Sequence, residues 1–158
     1  FPVLRGEVAV TSGGFGPSAG GETTSRFGLE MWNDAGTPIA RIALRFASAE
    51  STGALFFGTG GGELDELPFA ATMGDWFRLR IDLVPATNVA LFLVDDFAVS
   101  GALPYDVPDS TIAAIDLHAG PTGWDVGRFD DYRLTAVPEP GSIAALGLGL
   151  AALRRRRR

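Results

Sequence analysis

At 158 residues, with 46% hydrophobic residues, 21 glycines and 10 prolines, the chain can fill one core and is cut by turns into short segments; this favours an all-β domain over a helical bundle. It has no cysteine and one histidine, His118, which excludes a disulfide framework, a thiolate zinc site, a cysteine nucleophile and a multi-histidine metal site. All 13 basic residues are arginine and five of them end the chain, so the part before Val137 carries 8 arginines against 18 acids, a net of −10 that suits an exported or cation-binding domain and not a nucleic-acid surface.

The first residues, FPVLRGEVAV, contain Arg5 and Glu7 and no long apolar run, so they do not read as a signal peptide. Either a leader has been removed or the sequence is a fragment. Residues 27–32 read as a strand. In residues 39–46, Ala40, Ile42, Leu44 and Phe46 alternate with Arg41 and Arg45, the period of a strand with one buried face. Residues 54–57 read as another short strand. The acidic run Glu63-Leu64-Asp65-Glu66 lies between Gly60-Gly61-Gly62 and Pro68 and reads as a loop.

The clearest strand is WFRLRIDLV, residues 76–84. Phe77, Leu79, Ile81 and Leu83 alternate with Trp76, Arg78, Arg80 and Asp82. Pro85-Ala86-Thr87-Asn88 forms a turn. Residues 89–94 are apolar on both faces, as in a strand near the centre of a two-sheet stack. Asp95-Asp96 reads as a hairpin turn, and residues 97–103, 111–117 and 126–135 read as strands. No segment before Val137 has a helical period. Many short strands at this spacing predict an antiparallel β-sandwich or jelly roll over residues 1–136.

Residues 74–101, GDWFRLRIDLVPATNVALFLVDDFAVSG, resemble the concanavalin A-like jelly roll of laminin-G-type and legume-lectin-like domains: a Trp-led strand, a turn, a second strand and an Asp-led turn before a third. Residues 127–134, GRFDDYRL, look like the closing strand of such domains. The resemblance covers roughly a third of the chain and speaks to fold more than to activity. Domains of this family are often longer, so an opening strand is expected to be missing.

Such folds include glycoside hydrolases, which need two carboxyl groups flanking one bond. Glu63 and Glu66 are the candidates, by likeness to the Glu-x-Asp-x-Glu strand of a laminarinase-like family. That motif needs acids at i, i+2 and i+4, whereas Leu67 stands at i+4 and Glu66 at i+3, on the other face. No catalytic residue is therefore assigned. Asp130 and Asp131 are candidate calcium ligands, because Asp130 shares strand phase with Tyr132 and Leu134 and an acid on an apolar face needs a partner; the competing reading is an arginine partner or a hydrogen-bonded strand end. Trp32, Trp76 and Trp124 can stack on sugar rings or pack on a sheet. His118 has no visible catalytic partner. The glycine-rich run 58–62 lacks the Lys-Ser/Thr ending of a phosphate loop.

The chain ends in three parts. Val137-Pro138-Glu139-Pro140 stops the last strand, because neither proline donates a backbone hydrogen bond. Residues 141–153, from Gly141 through Leu146, Leu148 and Leu150 to Leu153, form a mostly apolar run of 13. As a helix it is roughly 20 Å long, short of the roughly 30 Å of a bilayer core, so a transient anchor suits it better than a permanent span. Arg154, Arg155, Arg156, Arg157 and Arg158 would stay on the cytoplasmic side and orient the acidic body outward. A buried core helix with a solvated basic end is the competing reading, weakened by Gly147 and Gly149 and by the lack of a polar face.

This order of parts resembles the PEP-CTERM sorting signal. The resemblance implies export in a Gram-negative-type bacterium, transient inner-membrane anchoring, exosortase as a partner and association with exopolysaccharide and biofilm matrix. Joined to the jelly-roll resemblance, it leads to a noncatalytic surface or matrix protein that associates with polysaccharide and needs no cofactor beyond a structural calcium. The alternatives are a glycan-cleaving enzyme on the same fold and a structural surface protein with protein partners.

Overall fold

The computed structural model describes residues 2–14, 26–47, 52–105, 112–119 and 126–138; for residues 112–119 it describes the backbone alone. Eleven strands are found among the described residues: β1 Val3–Gly14, β2 Phe27–Asn33, β3 Pro38–Arg45, β4 Ala54–Thr59, β5 Asp65–Pro68, β6 Phe77–Val84, β7 Val89–Val94, β8 Phe97–Ala98, β9 Leu103–Pro104, β10 Ile112–Ala119 and β11 Val126–Val137. They form two antiparallel sheets. Sheet A runs β11-β1-β6-β7-β8, with β9 also paired to β7; sheet B runs β10-β2-β3-β4-β5. The expected all-β sandwich is what the chain builds.

The alternation read in the sequence is the packing of the core. Val8 and Val10 of β1, Leu79 and Ile81 of β6 and Phe92 of β7 face Leu29 and Met31 of β2, Ile42 and Leu44 of β3 and Phe57 of β4, all within one buried cluster. Each such side chain contributes about 1.5–3 kcal/mol through burial. Aromatic contacts join the layers: Phe57 and Phe92 have ring centroids 5.5 Å apart, and Phe27 meets Phe129 edge-on at 6.3 Å. Gly127 makes room for that last contact, since a Cβ there would lie 2.2 Å from the Phe27 ring.

Two turns follow from their residues. Asp95 and Asp96 take positive φ angles of 48° and 68° between the paired Val94 and Phe97, the two-residue turn that matches strand twist. Asn88, at φ 53°, closes the Pro85–Asn88 turn between the paired Val84 and Val89.

Two expectations are corrected, on residues 63–66 and 97–103, and one strand was not anticipated. Residues 3–14 form β1, a 12-residue strand between β6 and β11, although their sequence alternates poorly. The acidic run is not wholly loop: Asp65–Pro68 pairs with β4 as the edge strand β5. Residues 97–103 are not one strand but the ends of two short ones, each laid against β7. Trp76 lies directly before β6 and is 49% exposed.

Candidate functional site

The two outer faces treat their arginines differently. On sheet A every described arginine of the central charge network ends on carboxylate. Arg5 Nε and Nη2 donate to both oxygens of the buried Asp82 at 2.8 and 2.9 Å, a bidentate pair that raises the Arg5 pKa chiefly through that hydrogen bond. Arg80 bonds Asp96 and lies 3.5 Å from Asp82. Arg78 and Arg133 converge on Asp131 at 2.8 and 2.6 Å. The closure is incomplete, because Arg80 Nε is buried without a hydrogen-bond partner and Arg128 of β11 is exposed.

On sheet B the outward positions follow from register. Gly28, Glu30 and Trp32 of β2, Arg41, Ala43 and Arg45 of β3, and Phe56 and Gly58 of β4 alternate with core residues along their strands. Gly28 is required there: a Cβ would lie 1.9 Å from the Ile42 carbonyl oxygen and 2.5 Å from Ala43 Cα, so only glycine lets β2 and β3 approach. Phe56 points away from the core cluster yet is 1% exposed. Its cover is cationic: the Arg26 guanidinium carbon sits 3.7 Å from the ring centroid and that of Arg45 5.3 Å.

The donors of this face are incompletely used. Arg45 bonds Glu66 at 2.8 Å and the Thr52 carbonyl at 3.1 Å. Arg41 Nη2 donates to the Gly62 carbonyl, while its buried Nε has no acceptor. The buried Nε1 of Trp32, one strand away, also has none. Burial lowers the Arg26 pKa, and the acid that most opposes this, Glu66, is already bonded to Arg45. The covered Phe56 ring, Trp32 and the three arginines make the outer face of sheet B the candidate site.

The candidate residues fall as follows. Trp32 lies in this face; Trp76 is 49% exposed in the segment before β6 of sheet A; Trp124 lies outside the described residues. The three tryptophans are therefore not shown as one platform. Glu63 is exposed in the turn before β5, and Glu66 is spent on Arg45. Asp130 is exposed and its Oδ1 accepts the Asp131 N–H at 2.8 Å. Asp131 has φ 55° at a β-bulge opposite β1, and the hydrogen bonds of Arg78 and then Arg133 hold its carboxyl below the usual carboxylate range. Its arginine partners thus match the reading that competed with calcium, and among the described residues no group of three or more His, Asp or Glu could hold a metal ion. The Cα of His118 pairs with Gly28; its side chain is not described. Of the tail, Val137 ends β11 and Pro138 is exposed, while Glu139, Pro140 and residues 141–158 lie outside the described residues. Among the described residues no helix is long and apolar enough to cross a membrane.

Sequence reading missed the Arg26–Phe56–Arg45 cluster. Arg41 and Arg45 were visible as the polar phase of β3, but nothing local to Phe56 distinguishes an outward phenylalanine from a core one.

The fold and the tail define the class: a two-sheet jelly roll ending in a protein-sorting signal. Residues 136–158 match the PEP-CTERM protein-sorting motif, which implies exosortase processing and export through the cell envelope to the surface. No curated protein matches the chain. Among solved structures, a tetrameric galectin from Cinachyrella sp. (ball sponge) has a TM-score of 0.58 at 12% identity, covering 86% of this chain and 91% of its own. A human galectin-16 variant has a TM-score of 0.49 at 14% identity, over 83% of this chain and 88% of its own. The catalytic domain of the glycoside hydrolase family 131 protein from Coprinopsis cinerea has a TM-score of 0.48 at 14% identity, over 87% of this chain and 57% of its own. The first likeness is one of fold, and the body is a jelly roll as its sequence led one to expect.

Proposed function

We propose that this protein is a noncatalytic surface or matrix component of a Gram-negative-type bacterium that associates with extracellular polysaccharide through the outer face of sheet B. The carrying observation is the aromatic and cationic grouping on this face: Trp32 and the covered Phe56 lie among Arg26, Arg41 and Arg45, with the Arg26 guanidinium carbon 3.7 Å from the Phe56 ring centroid. Sugars offer what such a face takes: hydroxyl acceptors and apolar ring faces. The sorting signal supports the reading by delivering the domain to the surface, where such polymers lie.

The noncatalytic part rests on the carboxylates. Glu66, the candidate acid on this face, is engaged by Arg45 at 2.8 Å, and glycoside cleavage needs two carboxyl groups flanking one bond.

The test is retention of the full chain by a panel of insoluble polysaccharides. Binding to at least one is expected, with Trp32→Ala weakening it about tenfold, the equivalent of roughly 1.4 kcal/mol. Trp32→Phe, which keeps an aromatic ring but loses the N–H, should fall between. Absence of binding to every polymer, or full binding by Trp32→Ala, would overturn the assignment.

A further inference from the structure

We infer that the end of β11, Arg133 to Val137, peels from β1 as one unit while the rest of the jelly roll stays folded, and that this opened end is the form the processing enzyme takes up. This depends on the sorting motif and not on the polysaccharide reading above.

β11 is two half-strands joined at a bulge. Its register against β1 is regular from Gly127 to Asp130 and again from Arg133 to Val137, with the bulge at Asp131 and Tyr132 between. The first half is packed. Phe129 lies against the core cluster and meets Phe27 edge-on, and Gly127 sits close beside the same ring. The second half is uncovered. Leu134 stands opposite the buried Gly6 yet is 52% exposed, and Arg133, Thr135 and Ala136 are exposed too, so side chains on both faces of this segment meet solvent. Among the described strands β11 pairs with β1 alone, at the edge of sheet A.

Opening such a segment is cheap. Its ladder hydrogen bonds pass to water, backbone freedom returns to residues 133–137, and little apolar surface is newly exposed. β1 does not follow, because Leu4 to Val10 stay paired with β6 and Leu4 packs against the core. Peeling stops at the bulge, where Arg78 of β6 holds Asp131 at 2.8 Å from two strands away. The motif needs this opening. It begins at Ala136, and Ala136 and Val137 are paired with Leu4 and Val3. An enzyme that acts beside folded structure works on the fraction of chains in which the segment is open. Once free, residues 133–137 add an extended link of about 17 Å between the jelly roll and Pro138.

The test follows the full chain by pulse-chase in cells that process it, with cysteine pairs placed at facing positions of a chain that has no cysteine of its own. A bridge between Leu4→Cys and Ala136→Cys closes the second half-strand. It should slow conversion to the processed form about tenfold or more, and a reductant that opens the bridge should restore the normal rate. A bridge between Ala9→Cys and Asp130→Cys lies on the other side of the bulge and should leave the rate unchanged. Hydrogen exchange on the unaltered full chain checks the opening itself, whether or not the bridges form. The ladder-paired amides of residues 133–137 should exchange about tenfold faster, or more, than those of residues 127–130. Normal conversion with the Leu4–Ala136 bridge closed, slowing that a reductant does not reverse, or equal slowing by both bridges overturns the inference. Equal protection of the two half-strands overturns it as well.

Discussion

Asp82 shows how one residue organises a face. It is 6% exposed, yet Arg5 reaches it with two hydrogen bonds from an adjacent strand and Arg80 adds a second cationic group from its own strand. Removing the carboxylate in Asp82→Ala leaves Arg5 half-desolvated without its partner, and a loss of about 1–3 kcal/mol is expected, measured by urea unfolding. Asp131 gives a pH signature instead. Its folded pKa is depressed by Arg78 and Arg133, so its contribution is complete above the usual carboxylate range and fades as pH falls through the folded value. The stability difference between the wild type and Asp131→Asn should therefore be present at pH 7 and vanish in stronger acid than an ordinary aspartate would require. A difference independent of pH would contradict the ion-pair account. Neither pairing was legible in the sequence. Arg78 and Asp82 were visible in the polar phase of residues 76–84, but Arg5 lies 77 positions from Asp82 and Asp131 lies 53 from Arg78, and only register brings them together.

At the scale of elements, periodicity found the strands long and apolar enough to show a period and missed those that are short or broken by glycine. β3 and β6 each bury one face, so their apolar residues alternate and their limits were read closely. β1 buries Val8 and Val10 but has its period interrupted by Gly6, Gly13 and Gly14, so its sequence reads as irregular although both neighbours pair with it. β5 has four residues with Pro68 at its end, too short for a period and suited to a sheet edge, where proline and charge discourage further pairing. The junction with the tail has its own consequence. The sorting motif begins at residue 136, but β11 runs to Val137, with Ala136 paired to Leu4 and Val137 to Val3. The motif therefore overlaps the sandwich by two paired residues. An enzyme acting on the motif as an extended chain works against that pairing. A six-residue Gly-Ser spacer inserted between Val137 and Pro138 should speed conversion to the processed form in pulse-chase experiments. An unchanged rate would show that the strand end imposes no restraint.

For the whole molecule, the division of labour runs between an acidic jelly roll and a basic end. The body carries 18 of the 19 acids, and the last five residues carry five of the 13 arginines. That asymmetry is fully legible in the sequence because it needs no three-dimensional information. The proposed binding face is not, since it depends on which strands become neighbours: Arg26 comes from the residue before β2, Phe56 from β4 and Glu66 from β5. The central claim is that the tail takes this domain to the cell surface. Fractionation of cells making the full chain, beside cells making a chain that stops at Val137, tests it most directly. The full chain is expected in the envelope and surface fractions, and the shortened chain is expected to lose that retention while keeping its fold. Equal surface retention of the two chains would contradict the account.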